Sequence, residues 1–133
     1  MSQQLIFGKL RPQYHFQPSK NGYYAWDVLK LIKLSKELDV VEVELSEIKE
    51  LDQNYWFQEV TPTCRNMLTH LILVEKVDLK YPIILAKERF VMDGMHRVMK
   101  ALKLEHTTIT AVVFNETPKP DFVDVQPDEL SYE

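Results

Sequence analysis

The clearest alternation of apolar and polar positions lies at residues 40–45, where two valines and Leu45 share one face and Glu42 and Glu44 share the other. A period of two residues predicts a β-strand with one buried face. Three further runs are short and apolar, as expected of buried strands. They are residues 82–86, 90–92 and 108–114. Together the four segments predict a small mixed sheet.

Helical spacing of apolar residues predicts one helix at residues 25–38 and another at about 61–77. In the first, Trp26 belongs to a wide apolar surface, and three lysines form its solvated side. In the second, Thr61 is the expected N-cap and Pro62 the first helical residue. The stripe expected to be buried consists of Cys64, Met67, Leu68 and Leu71.

A third helix is predicted to follow Asp93 and Gly94, with Asp93 as its N-cap. Glycine at this turn lets another backbone or a ligand approach closely. The expected buried face contains Met95, Val98, Ala101 and Leu102. Helices packed on a small mixed sheet indicate an α+β fold in a single domain.

The two ends of the chain have a different character from the core segment at residues 25–114. Residues 1–24 form an aromatic arm, with a short strand expected at residues 5–7 and a hairpin turn at Asn21-Gly22. Residues 115–133 contain several prolines and acids and are expected to form an extended C-terminal tail. A loop carrying Tyr55, Trp56 and Phe57 is predicted between the first core strand and the next helix.

Composition narrows the class of protein. The 133 residues are 45% hydrophobic and 27% charged, as in a single globular domain. A net charge of −4 argues against non-specific nucleic-acid binding. The single cysteine excludes an internal disulfide, and no cysteine–histidine cluster has zinc spacing, so no metal site is predicted. With no signal peptide and no membrane-length apolar run, we expect a cytoplasmic protein.

Candidate chemistry is concentrated where the third helix begins. A strand that runs through a glycine turn into a helix directs backbone N–H groups to one point, which attracts anions. His96 and Arg97 in the first helical turn add two donors, so a phosphate is the expected ligand. Two alternatives remain open: the side chains are solvated, or Arg97 pairs with Asp93 and serves the structure only.

The run Asp93-Gly94-Met95-His96-Arg97 resembles the Asp-Gly-x-His-Arg signature of the ParB/sulfiredoxin-like superfamily. Strands are expected on both sides of it, and the similarity covers roughly residues 40–114. The resemblance implies a ParB/sulfiredoxin-like fold whose turn and helix start hold the phosphates of a nucleotide such as ATP, ADP or CTP, with Mg²⁺ as a further candidate. Arg65 could reach those phosphates or could pair with Glu59.

Three activities occur in the superfamily. Sulfiredoxins carry a nucleophilic cysteine where this chain has Met95, whose thioether cannot form the covalent intermediate. Partition proteins add a helix-turn-helix domain, for which residues after 114 leave no room. The third class phosphorylates a small hydroxylated molecule, and the position matching its carboxylate is Asp52. An ordinary loop acid is the alternative for Asp52.

These inferences lead to two hypotheses. The first is a nucleotide-dependent kinase acting on a small hydroxylated molecule, with Asp52 as the catalytic carboxylate. The second is a non-catalytic nucleotide-sensing or protein-interaction module that uses the same anion site. For the first, a homodimer could complete the substrate pocket, with the aromatic arm or the loop at residues 55–57 as contact surface.

Overall fold

The computed structural model describes residues 13–57 and 60–131. The first sheet begins with a hairpin of β1 (Tyr14–Pro18) and β2 (Tyr23–Asp27), closed by a hydrogen bond of 2.9 Å from Ser19 N to Gly22 O. The strand β7 (Phe122–Val125) pairs antiparallel with β2 on the other side. The predicted hairpin is therefore confirmed, whereas the strand expected at residues 5–7 lies outside the described residues.

The first helix, α1 (Val28–Ser35), is shorter than the predicted helix at residues 25–38. Ala25 and Trp26 belong to β2, so the prediction was wrong at that end. The helix begins where it does because Asp27 is its N-cap and accepts from Leu29 N at 3.0 Å. Trp26 instead packs in the core, and its indole N–H donates to Pro118 O at 2.8 Å.

The second sheet contains β3 (Val41–Glu44), β4 (Ile83–Leu85), β5 (Val91–Asp93) and β6 (Thr108–Val113). Its order is β3-β6-β4-β5, with β4 parallel to β6 and the other pairs antiparallel. All four strands were predicted, with ends that differ by at most one residue. The α+β class and the mixed sheet are therefore confirmed.

The central strands β4 and β6 carry buried side chains on both faces, whereas β3 is exposed except at Val43. Burial on both faces explains the continuous apolar run in β4. Ile83 and Leu85 on β4 contribute to one cluster together with Met95, Val98 and other residues of the third helix. Ile84 contributes to a second cluster on the opposite face, with α1 and the hairpin. Successive side chains of β4 thus point into the two clusters in turn, so this strand contributes to the core on both faces of the sheet.

The second helix, α2 (Cys64–Lys76), differs from the prediction at its start and in its buried face. Thr63, not Thr61, is the N-cap, because Thr63 and Asn66 hydrogen-bond reciprocally through side chain and backbone at 3.0 and 3.1 Å. The inward face contains Leu73 and Val74. The stripe predicted to be buried is exposed, since α2 packs on the rest of the molecule through its other side. It consists of Cys64, Met67, Leu68 and Leu71.

The third helix, α3 (Met95–Lys103), is where it was predicted, with two corrections. Its N-cap is Gly94 and not Asp93, because β5 continues through Asp93. Leu102, predicted to be buried, is half exposed. Lys100 ties α3 to α2 by donating to the carbonyl oxygens of Glu75 and Val77 at 3.0 and 2.8 Å. Among the described residues no helix combines the length and apolarity needed to cross a membrane.

Candidate functional site

The turn between β5 and α3 depends on glycine. Gly94 has φ 105° and ψ 21°, a backbone conformation that side chains with a Cβ rarely adopt. A Cβ at this position would lie 2.7 Å from Ile83 Cγ2 and 2.8 Å from Arg97 Nη2. Conformation and packing therefore both require glycine, and no N-cap side chain covers the start of α3.

Arg97 is turned into the molecule. Its side chain is only 3% exposed, and Nη2 donates to Asp93 Oδ2 at 3.0 Å and to Pro82 O at 3.4 Å. This is the pairing with Asp93 that the sequence left as an alternative. Nε is buried and has no hydrogen-bond partner among the described residues. The guanidinium therefore stabilises the turn through Nη2, while the buried Nε–H has no acceptor in the described part of the chain.

His96 faces the opposite helix. Its Nε2 lies 2.8 Å from Nδ1 of His70 on α2, so the two imidazoles share a hydrogen bond. The indole ring of Trp56 stacks on both, with centroid distances of 4.0 Å to His70 and 4.4 Å to His96. We call this group of three rings, Trp56, His70 and His96, the aromatic triad. It joins α2, α3 and the loop before α2.

Burial determines the charge of the triad. It lowers the pKa of His96 to about 3, with further lowering by His70 and Arg97, and it also lowers the pKa of His70. Both imidazoles are therefore neutral near pH 7, and one donates to the other. The histidine pair can offer a hydrogen bond to a ligand but supplies no positive charge.

The loop that carries Trp56 is fixed by two contacts with β5. The buried carboxylate of Glu50 accepts from Val91 N at 2.7 Å, and Tyr55 Oη donates to Val91 O at 3.2 Å. Burial, with the nearby charges of Asp93 and Glu50, raises the pKa of Tyr55, so its hydroxyl keeps its proton. The backbone of Val91 thus contacts both Glu50 and Tyr55, the two ends of the segment that leads to Trp56.

A groove of about 860 Å³ lies on the outer side of this loop, between the core and the three-stranded sheet. Its aromatic walls include Phe16, Tyr23, Tyr55, Trp56 and Phe90. The ionisable lining consists of Glu47, Glu50, Glu88, Lys49, Arg89 and His15. Burial lowers the pKa of His15 to about 4, so three acids against two bases leave one net negative charge. The groove can therefore accept a flat ring better than a phosphate.

The residues predicted for the site lie on separate elements of the structure. Gly94, Met95, His96 and Arg97 lie together at the start of α3, and Met95 is buried in the core. Asp52 is exposed at the end of a 3-10 helix, Lys49–Asp52.

Arg65 is exposed in the first turn of α2. Its alternative partner, Glu59, lies outside the described residues. In the described part of the chain, no three His, Cys, Asp or Glu side chains form a group that could hold a metal ion.

The sequence did not indicate the contacts that His70, Trp56 and Glu50 make beside the predicted site. His70 and His96 are 26 residues apart, so no helical or strand spacing relates them. Glu50 has the appearance of a loop acid, and only its burial at 8% exposure reveals its contact with β5. Comparisons with protein-family models, with curated proteins and with solved structures give no match.

Proposed function

We propose that this protein is a nucleotide-binding module of the ParB/sulfiredoxin-like type, with the phosphates held at the first turn of α3. The observation that carries the proposal is the geometry of the turn. A strand ends, a glycine in a left-handed conformation follows, and a helix begins with no N-cap side chain over it. Helix starts of this kind bind phosphate through backbone N–H groups and the helix dipole.

The side chains of the motif take different roles from those expected of direct phosphate ligands. Arg97 holds Asp93 and Pro82 and so fixes the shape of the turn. His96 orients His70, whose half-buried ring lies nearer the surface. The exposed guanidinium of Arg65, at the start of α2, is the cation proposed to reach a bound phosphate. A planar guanidinium fork suits phosphate oxygens.

The groove beside Trp56 supports a nucleotide as the ligand rather than inorganic phosphate alone. Trp56 lines the groove and also stacks on the histidine pair. Its indole ring therefore contacts both the groove and His96 in the first turn of α3. Aromatic walls suit a nucleobase, and the negative lining directs the phosphates away from the groove. The proposed arrangement therefore has the base in the groove and the phosphates at the helix start.

The stronger form of the proposal, a kinase for a small hydroxylated molecule, depends on Asp52. Its exposed carboxylate lies on the 3-10 helix that leads to the Trp56 loop. Its neighbour Glu50 is already engaged by β5 and is unavailable as a base. Binding is supported by several features and catalysis by this carboxylate alone, so the binding module is the function we favour. Mg²⁺ would arrive with the nucleotide phosphates.

Calorimetric titration of the protein with ATP, ADP, CTP and inorganic phosphate tests the proposal. We expect saturable binding of at least one nucleotide, with phosphate alone weaker. Arg65→Ala should lower the affinity for the nucleotide by about 10-fold or more, because it removes one charge-assisted hydrogen bond. Lys76→Ala is the matched control, because it removes the same charge from an exposed site at the other end of α2. Failure of all four ligands to bind would refute the proposal.

A further inference from the structure

The outward side of α2 carries four large aliphatic side chains that are about half exposed. They are Met67, Leu68, Leu71 and Ile72, at 52%, 55%, 55% and 43% exposure. Cys64, at the start of the same side, is also exposed. These positions follow one another at the three- and four-residue spacing of one helix face, so the side chains form a single apolar strip. We call this strip the outer face of α2.

The other side of α2 is already packed. Leu73 and Val74 are buried against the rest of the molecule, and His70 contacts His96 on α3. The helix is therefore apolar on two sides, of which one has a neighbour among the described residues. By contrast, α1 exposes lysines and, among its large hydrophobic residues, only Leu34. A surface helix normally has a polar outward side, and a contiguous apolar patch marks an interaction site.

We propose that the outer face of α2 packs against the same face of a second copy of this protein, with the two helices antiparallel about a two-fold axis. The spacing along the face supports a symmetric partner. Cys64, Leu68, Leu71 and Glu75 follow one another at intervals of four, three and four residues, which read the same from either end. With the axis between residues 69 and 70, Leu68 of each copy lies opposite Leu71 of the other. A two-fold contact requires this reciprocal pairing.

The charges on α2 favour the antiparallel orientation. Arg65 lies in the first turn of the helix, and Glu75 lies in the last turn, in line with Leu68 and Leu71. The helix dipole has the same direction, with a partial positive charge at the N-terminus and a partial negative charge at the C-terminus. Antiparallel packing places the Arg65 end of each copy beside the Glu75 end of the other, whereas parallel packing would place like ends together. Such charges at the edge of an interface determine orientation more than affinity.

The exposed area is sufficient for a weak dimer. Four aliphatic residues that are each about half exposed present on the order of 400 Å² of surface, within the range of the largest apolar patch on a typical monomer. Two copies would therefore bury roughly 800 Å² from these residues alone, at the low end of the sizes found for specific contacts. We expect a dissociation constant of about 10–100 µM, so that the protein is mainly monomeric when dilute.

This inference goes beyond nucleotide binding and does not depend on it. The outer face lies on the side of α2 away from His70, which is the residue that contacts the first turn of α3. Its apolar contacts are made by residues that have no part in the proposed phosphate site. Dimerisation can therefore fail while the nucleotide site stands, and the reverse.

Sedimentation equilibrium of the full chain, without nucleotide, from about 5 to about 500 µM tests the dimer. Leu68→Glu should raise the dissociation constant by about 100-fold or more, because its carboxylate would be buried opposite an apolar side chain. Leu34→Glu is the matched control, since it makes the same change at a leucine that is 49% exposed on α1, and it should leave the dimer unchanged. Circular dichroism shows whether each variant folds. A monomer at every concentration, or a dimer retained in folded Leu68→Glu, would overturn the inference.

The single cysteine tests the orientation independently. In the antiparallel pair Cys64 lies opposite position 75 of the second copy, whereas the two Cys64 residues are about 16 Å apart along the helix axis. With copper–phenanthroline as the oxidant, Glu75→Cys should therefore form a disulfide-linked dimer, and the wild type should not. Glu75→Cys combined with Cys64→Ser is the control and should remain unlinked. Rapid cross-linking of the wild type, or no cross-linking of Glu75→Cys, would overturn the antiparallel pairing.

Discussion

Nδ1 of His70 lies 2.8 Å from Nε2 of His96, which makes this histidine pair the direct side-chain link between α2 and the first turn of α3. The link joins the two helices that border the proposed phosphate site, and Trp56 covers both rings. Because the pair is neutral and buried, it has a measurable consequence for stability as the pH falls.

The first prediction concerns that pH dependence. The pKa of His96 is lowered to about 3, against 6.5 for an ordinary histidine, so between these values the unfolded chain binds a proton that the folded chain does not. Stability should therefore fall as the pH decreases from 6.5 towards 3, with His96 contributing up to about 1.4 kcal/mol per pH unit. In urea unfolding at pH 7, 6 and 5, His96→Gln should show a shallower slope. An unchanged slope would contradict this account.

The second prediction concerns the glycine turn. Gly94→Ala should cost about 1–3 kcal/mol from the positive φ alone, and more from contact with Ile83 and Arg97. Gly94→Asn distinguishes the two causes, since asparagine tolerates left-handed backbone better but also carries a Cβ. Chemical unfolding should show both variants strongly destabilised. If Gly94→Asn were close to the wild type, packing around the turn would not be limiting.

The third prediction compares two leucines on α2. Leu73 is buried and Leu68 is 55% exposed, although the sequence pattern suggested that Leu68 was the buried one. Leu73→Ala should reduce the free energy of unfolding by about 2–5 kcal/mol, as buried leucines do. Leu68→Ala should change it by about 0.5 kcal/mol or less. Urea unfolding of the two variants measures both, and the reverse order would mean that α2 is packed the other way round.

The fourth prediction tests catalysis separately from binding. If the protein phosphorylates a small hydroxylated molecule, Asp52→Asn should reduce turnover by about 100-fold or more, as expected for a general base. Nucleotide affinity should hardly change, because Asp52 is exposed at the end of its 3-10 helix. Asp39→Asn, another exposed acid, is the control. Full activity in Asp52→Asn would show that Asp52 is not the catalytic carboxylate, and the proposal of a nucleotide-binding module would remain.

Much of the fold could be predicted because periodicity reports burial directly. The four core strands have short apolar runs or alternation, and α3 has clear helical spacing. Gly94 marks the turn between β5 and α3. The ends of elements were less predictable, since the choice between Asp93 and Gly94 as N-cap depends on how far β5 continues. Trp26 was assigned to a helix because apolar residues of a strand and of an adjoining helix merge into one pattern.

The site was harder to predict because its parts meet only in three dimensions. An apolar stripe on α2 indicates an amphipathic helix but does not show which neighbour covers which side, so the inward position of His70 was missed. Arg97 was expected to bind phosphate, yet Asp93 lies four residues before it and close enough to pair. The role of Glu50 depends on a contact 41 residues away along the chain.

The central claim, that nucleotide phosphates bind at the first turn of α3, is tested most directly by ¹H–¹⁵N titration with ATP and CTP. The account predicts that the backbone amide signals of Gly94, Met95 and His96 shift and saturate, together with the indole N–H signal of Trp56. Signals from β7, in the other sheet, should remain still. Saturable binding that leaves the Gly94–His96 amides unmoved, or no binding at millimolar nucleotide, would contradict the claim.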